Sequence, residues 1–252
     1  MVSRNPRAGR DVGNSMDPAS IPYCGPAPIP GDWVTRWNLD PWLLAALVAA
    51  ALIAMRQQAR GPFWAGFALI VLLFVSPLCA LSSALFSVRV AHHIILTAVA
   101  APLFAFGLPR LPPRGGASLW AAAHILAFWV WHAPTPYALA LASDGAFWLM
   151  QLSLLATAIG FWASLRSSSP PLAIGLLLAM MVQMGLLGAL ITYAGTPLYA
   201  PHLATTMAWG LGPLEDRQLA GLIMWAPAAV LYLGAALWTG WRLLGEPPRV
   251  AG

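Results

Sequence analysis

Two adjacent histidines, His92 and His93, stand inside the apolar run LFSVRVAHHIILTAVAAPLFAFGLP, and a third, His132, closes another in FWVWHAPTPYALAL. An ionisable ring at such a position is costly in lipid and calls for a partner or a function. Soft side chains recur in the same setting: Cys79, Met184 and Met224, with Cys24 upstream. Thiolate, thioether and imidazole are the ligand types that favour Cu(I), and a layer poor in carboxylates argues against Mg, Ca or Mn. Each group also has a plainer reading, since buried Met and Cys commonly serve as packing.

The elements that must carry these residues follow from composition. Of 252 residues, 60% are hydrophobic and 8% charged, more apolar surface than a water-soluble domain of this size can hide. Runs near the roughly 20 residues that cross a hydrocarbon core predict seven spans, at about 39–55, 62–86, 88–108, 116–142, 145–165, 171–194 and 218–244. Segments such as Gly66 to Phe74 are apolar all round, without the alternation of a barrel strand. The expected fold is therefore all-α, a polytopic membrane helical bundle over 39–244, with a Pro-rich outer tail over 1–38 and a short cytoplasmic tail over 245–252.

Charge sets the expected orientation. All 13 basic residues are Arg, and Arg56, Arg60, Arg110, Arg114, Arg166, Arg242 and Arg249 follow spans one, three, five and seven. The positive-inside rule then places those loops and the C-terminus in the cytoplasm and the N-terminus outside. Asp11, Asp17, Asp32, Asp40, Asp144, Glu215 and Asp216 fall on the other side. Arg4, Arg7 and Arg10 run against this pattern, and a native start at Met16 would remove them. The net charge of +5 reads as a topology signal, and no basic cluster with interleaved aromatics suggests nucleic acid.

At about 1.5 Å rise per residue, Cys79, His93, His132, Met184 and Met224 all fall roughly 9–15 Å below the outer surface, with His92 slightly shallower. His124 lies toward the cytoplasmic half. Pro77, Pro134 and Pro136 interrupt the helix ladder beside Cys79 and His132, and with Pro102 and Pro227 they predict breaks able to widen the bundle into an outward-facing cavity. The two cysteines leave one disulfide possible. The loop at about 195–217 and the N-terminal tail are expected to cap the bundle, with His202 in that loop and Asp216 at the lip of the last span, where an acid favours a helix N-terminus.

These stretches, and above all PLEDRQLAGLIMWAPAAVLYL, resemble the polytopic CtaG-type assembly factors of caa(3)-type cytochrome c oxidase. The opening YCGPAPIPGDWVTRWNLDP is similar to a proteobacterial branch of that family, and the resemblance runs from about residue 22 to 244. It rests most on the D-x-Q-x-x-G-x-x-M-W segment at Asp216, Gln218, Gly221, Met224 and Trp225. It implies a bacterial inner-membrane protein that is not an enzyme and is needed to make active, copper-containing oxidase. Oxidase subunits, and a periplasmic copper carrier, would be its partners beside membrane lipid. Of the family's H-M-x-x-H pattern only the second His is matched, by His93; Arg89 takes the first position and His92 a middle one. A His pair usual in span five is replaced by Phe147 and Gln151.

The expected site is thus a Cu(I) layer of His93, His92, His132, Cys79, Cys24, Met184 and Met224 beneath a docking rim of Asp216, Gln218, Trp225 and His202. A copper transporter or resistance permease would share the layer but would need ligands continuing to the cytoplasmic end, and a heme-handling variant would use His93 and His132 as axial ligands. A retinal protein is excluded by the absence of Lys. Ser82, Ser83 and Ser87 near the histidines carry no nucleophile elbow that would mark a hydrolase.

Overall fold

The computed structural model describes residues 21–108 and 115–245, and all regular structure among them is helical. The expectations for a start at Met16, for Arg110 and Arg114, and for the tail after Gly245 lie outside the described residues. Predominantly apolar runs give α1 (Pro41–Arg56), α2 (Gly61–Val75), α3 (Leu78–Ala84), α4 (Phe86–Ile94), α5 (Ala101–Gly107), α6 (Ala117–His132), α7 (Pro134–Ala142), α8 (Asp144–Leu165), α9 (Pro170–Tyr193) and α10 (Pro213–Gly245). Four of the resulting rods are long and apolar enough to cross a membrane: Phe86–Gly107, α8, α9 and α10. The number rises to six if each of two bent pairs is one span. The expected first span corresponds to α1, whose 16 residues make it a shorter apolar helix.

Prolines produce breaks at two of the expected places, Pro77 and Pro134, whereas Pro227 lies inside the continuous helix α10 and Pro102 inside the rod Phe86–Gly107, so neither of those two breaks the chain. The chain bends by 52° between α2 and α3 at Ser76 and Pro77, and by 75° between α6 and α7 at Ala133 and Pro134. Between α4 and α5 a π-helical turn, Ile95–Ala100, shifts the register by one residue just after His93. The amide of Ala101 reaches back five residues to the carbonyl of Leu96. Pro102 has no N–H to continue that register, which would leave the carbonyl of Thr97 open; the indole of Trp162 donates to it instead, at 3.0 Å.

The densest helix pair is α9 with α10. Its close approach depends on two glycines: a Cβ on Gly221 would meet Thr192 Oγ1 at 2.1 Å and Gly188 O at 2.5 Å. Gly221 of the D-x-Q-x-x-G segment is therefore a helix-crossing contact.

One end of the bundle is closed by a cap. Cys24 and Cys79 form a disulfide that ties the tail to α3. Asn38 bonds the end of α2 through its backbone N–H to Val75 O and its side chain to Phe74 O, and Tyr23 stacks on Phe147 at 4.9 Å. From the other side, Thr205 donates to Ala84 O and Tyr199 to His132 O, while Trp209 donates to Pro28 O and joins loop to tail. Tail and loop together cap the bundle as expected. The expected open cavity beneath them is not what forms there: Phe86, Tyr137, Tyr199 and His202, all buried and in ring contact, fill the space. A cleft of about 660 Å³ lies instead between α8, α9 and α10, lined by apolar side chains with Arg166 and Arg242.

Candidate functional site

Beneath the cap, α4, α6 and α8 bring five side chains together. The rings of His93 and His132 stand 5.4 Å apart, centroid to centroid, and both residues are buried. His132 Nδ1 lies 2.8 Å from the carbonyl of Phe128, one turn earlier on the same helix. A carbonyl only accepts, so Nδ1 carries the proton in the neutral ring and the lone pair stays on Nε2. That Nε2 is buried without a protein partner. A nitrogen with a free lone pair is thus held by the last turn of α6, where the break at Pro134 stops the helix.

His93 Nε2 sits 3.4 Å from the side-chain nitrogen of Gln151, while its Nδ1 and the Gln151 carbonyl oxygen have no protein partner. Arg89, one turn before His93 on α4, places its guanidinium 5.3 Å from the centre of the Phe147 ring, one turn before Gln151 on α8. Arg89, His93, Phe147 and Gln151 are the positions that the family resemblance aligned with a histidine-rich set, and the fold makes them neighbours. The sequence departures therefore fall on one spot and alter its chemistry from imidazole donors toward a cation, an amide and a phenyl ring.

His92 points to another neighbour, packing edge-on against Phe74 at 4.9 Å, with both ring nitrogens unpartnered. His124 is remote from this group; its Nδ1 lies 2.9 Å from the hydroxyl of Thr157, an ordinary interhelical link between α6 and α8.

Several expected ligands are placed otherwise. Cys24 and Cys79 bond to each other, so neither offers a thiolate. Met184 and Met224 are fully buried members of the hydrophobic core on α9 and α10. Among the described residues no group of three or more His, Cys, Asp or Glu is arranged to hold a metal ion. The seven-member layer is thus reduced to an imidazole pair with one further ring nearby, because equal depth along separate helices says nothing about which faces meet.

The expected docking rim needs a correction as well. Asp216 is 1% exposed. Its carboxylate receives the backbone N–H of Phe86 at 2.7 Å and of Ser87 at 3.2 Å, together with the Ser87 hydroxyl. It caps the N-terminus of α4, a helix 130 positions away in sequence, where free amides and the helix dipole both favour an anion. Its neighbour Arg217, also buried, donates to the carbonyls of Ile191 and Ala194 and so closes the C-terminus of α9. Adjacent opposite charges each meet the complementary helix end. His202 is likewise buried, with Nε2 2.7 Å from the Tyr137 hydroxyl. Burial, and the charge of Arg89 after it, lower its pKa to about 3, so it is neutral. Of the four rim residues only Gln218 and Trp225 are exposed.

Comparison with known proteins agrees with the sequence motifs. The family model for cytochrome c oxidase caa3 assembly factors matches residues 48–246, from α1 to just past the end of α10. No curated protein and no solved structure matches the chain. A match over most of the chain, including the capping pair Asp216 and Arg217 and the crossing glycine Gly221, assigns this protein to the cytochrome c oxidase caa3 assembly factor family.

Proposed function

We propose that the protein assists metallation of the oxidase at the outer face of a bacterial inner membrane, with Cu(I) as the cargo held by His93 and His132. The observation that carries the copper reading is the facing pair of buried rings, one with its lone pair fixed on an unpartnered Nε2. Two imidazoles suit Cu(I), which accepts few ligands and favours soft or imidazole donors. His92 is the natural third donor, adjacent in sequence and with both nitrogens free of protein partners.

The orientation is supported from two sides. Arg56, Arg60, Arg166 and Arg242 lie at the end away from the cap, in keeping with the positive-inside rule. The Cys24–Cys79 disulfide at the cap end suits an oxidising compartment. Docking of an oxidase subunit or a periplasmic copper carrier would then use the exposed surface of the cap, with Gln218 beside it, while Trp225 lies exposed about 18 Å along α10 from its start at Pro213.

Deleting the gene should lower terminal-oxidase activity while the oxidase-subunit transcripts stay unchanged, and excess copper in the medium should restore part of the activity. Normal oxidase activity and copper content in the deletion strain would end the assembly reading for this chain. On the purified protein, the double variant His93→Ala and His132→Ala should lose Cu(I) binding while His124→Ala keeps it. Equal copper content in all three at matched folding would make the protein a docking scaffold without metal.

A further inference from the structure

Arg89 is among the largest fully buried side chains, at 0% exposure, and its guanidinium meets no carboxylate or carbonyl among the described residues; the neutral hydroxyl of Tyr137 is its one polar protein neighbour there. Its ring contact with Phe147 supplies a π face but no counter-charge. The one buried acid among the described residues, Asp216, spends its carboxylate on Phe86 and Ser87. The only ion pair among the described residues, Arg36 with Asp32, is far off in the tail. Arginine does not neutralise itself by deprotonation, and a lone buried cation in a membrane interior is expensive.

The groups around Arg89 are also short of acceptors. His92 and His93 stand three and four residues after Arg89 on α4, on the same helix face, and each has a ring nitrogen without a protein partner. The polar neighbour Tyr137 shares its hydroxyl with His202. A guanidinium with five N–H donors, set among imidazoles that can turn an N–H toward it and with no carboxylate to complete it, is the protein half of an anion site.

We propose that Arg89 anchors a buried binding site for a small monovalent anion of halide to carboxylate size, with His92 and His93 as the surrounding donors. The ligand must be small because aromatic rings from Phe86, Tyr137, Tyr199 and Phe147 close the space on the cap side. Occupancy cancels the charge that Arg89 otherwise directs at His92 and His93, so a cation near those rings would be tolerated better with the anion in place. The anion site does not depend on the copper reading, since Arg89 lacks a counter-charge whether or not a metal is bound.

The test uses the purified full chain in detergent, free of added copper, with chloride exchanged for gluconate at constant ionic strength. Chloride should raise Tm by about 5 °C at a concentration far above its Kd. Bromide should act alike, Arg89→Gln should abolish the shift and Arg89→Lys should keep part of it. Identical Tm in chloride and gluconate for the unaltered protein, or an undiminished shift in Arg89→Gln, overturns the proposal. Should Arg89→Gln fail to fold, equilibrium dialysis of the unaltered chain against radiolabelled chloride decides: a single saturable site displaced by bromide supports the inference, and no saturable binding rejects it.

Discussion

The two ends of the bundle spend their polar residues in opposite ways. At the cap end Asp216, Arg217, Arg89 and His202 are buried and a disulfide holds tail to helix, whereas at the other end Arg56, Arg60, Arg166 and Arg242 are exposed, the last two beside an apolar cleft. Arg166 reaches one carbonyl, that of Ala105, and lies 5.7 Å from the Phe106 ring. Polar groups at the cap end thus determine how helices meet, while those at the basic end stay at the exposed surface. The lesson is that a charge in a membrane protein must be judged by the partner it finds. Asp216 and Arg217 are adjacent in sequence and equally buried, yet they stabilise two different helix termini.

The contrast predicts a graded series of effects. Asp216→Ala should be the most damaging change, because it strands two buried amides and a hydroxyl at the start of α4; a loss of about 4 kcal/mol is expected from several hydrogen bonds to a charged acceptor. The midpoint of denaturant-induced unfolding in mixed micelles measures it, and Asp216→Asn should recover part of the loss. An unchanged midpoint in Asp216→Ala would erase the distinction between the ends.

Reduction of the Cys24–Cys79 bridge comes next. It closes a segment with a separation of 55 positions, and its removal should cost about 3 kcal/mol. Thermal unfolding of Cys24→Ser against the parent, each with and without reductant, reads the effect. Only the parent should respond to reductant.

Acid should loosen the same end by a smaller amount. The folded-state pKa of His202 is lowered to about 3 by burial first and by Arg89 second, against an unfolded value of 6.5. The neutral form is therefore favoured by folding, so its contribution is complete above pH 6.5 and lost as pH falls toward 3. Between pH 6.5 and 5 the loss should reach about 2 kcal/mol. His202→Gln should flatten that part of the stability profile, and an identical slope in parent and variant would remove His202 as its source.

At the basic end the expected effect is slight. Arg242→Gln should change stability by less than about 0.5 kcal/mol, as for other surface positions, while shifting the balance of topology reporters fused at the C-terminus. A large loss of stability there would mean that Arg242 is a structural link like Arg217, and the contrast between the ends would need revision.

Much of the molecule was legible in order of residues alone. Helical class, membrane residence and the breaks at Pro77 and Pro134 follow from apolar run length and from the missing N–H of proline, which are local properties. The pairing of tail and loop into a cap was also within reach, since both are aromatic, Pro-punctuated and fall on the same side. The resemblance rested most on the D-x-Q-x-x-G-x-x-M-W segment, and the family match over residues 48–246 includes it.

What tertiary structure alone decided is the direction each polar side chain faces. Depth put Cys79, Met184 and Met224 level with His93, but helix rotation sent Cys79 to Cys24 and both methionines into the core. Asp216 sits at the start of its own helix and was readable as a cap there; that it caps α4 instead depends on α10 packing against α4, a contact between segments 130 positions apart. Arg89 gave no signal in the sequence beyond standing where a histidine was expected, because an orphaned charge is recognised only once every neighbour is in place. Sequence periodicity and length govern whether a helix forms and crosses; the rotation of each helix about its axis, and hence which donor meets which acceptor, is set by the joint packing of all of them.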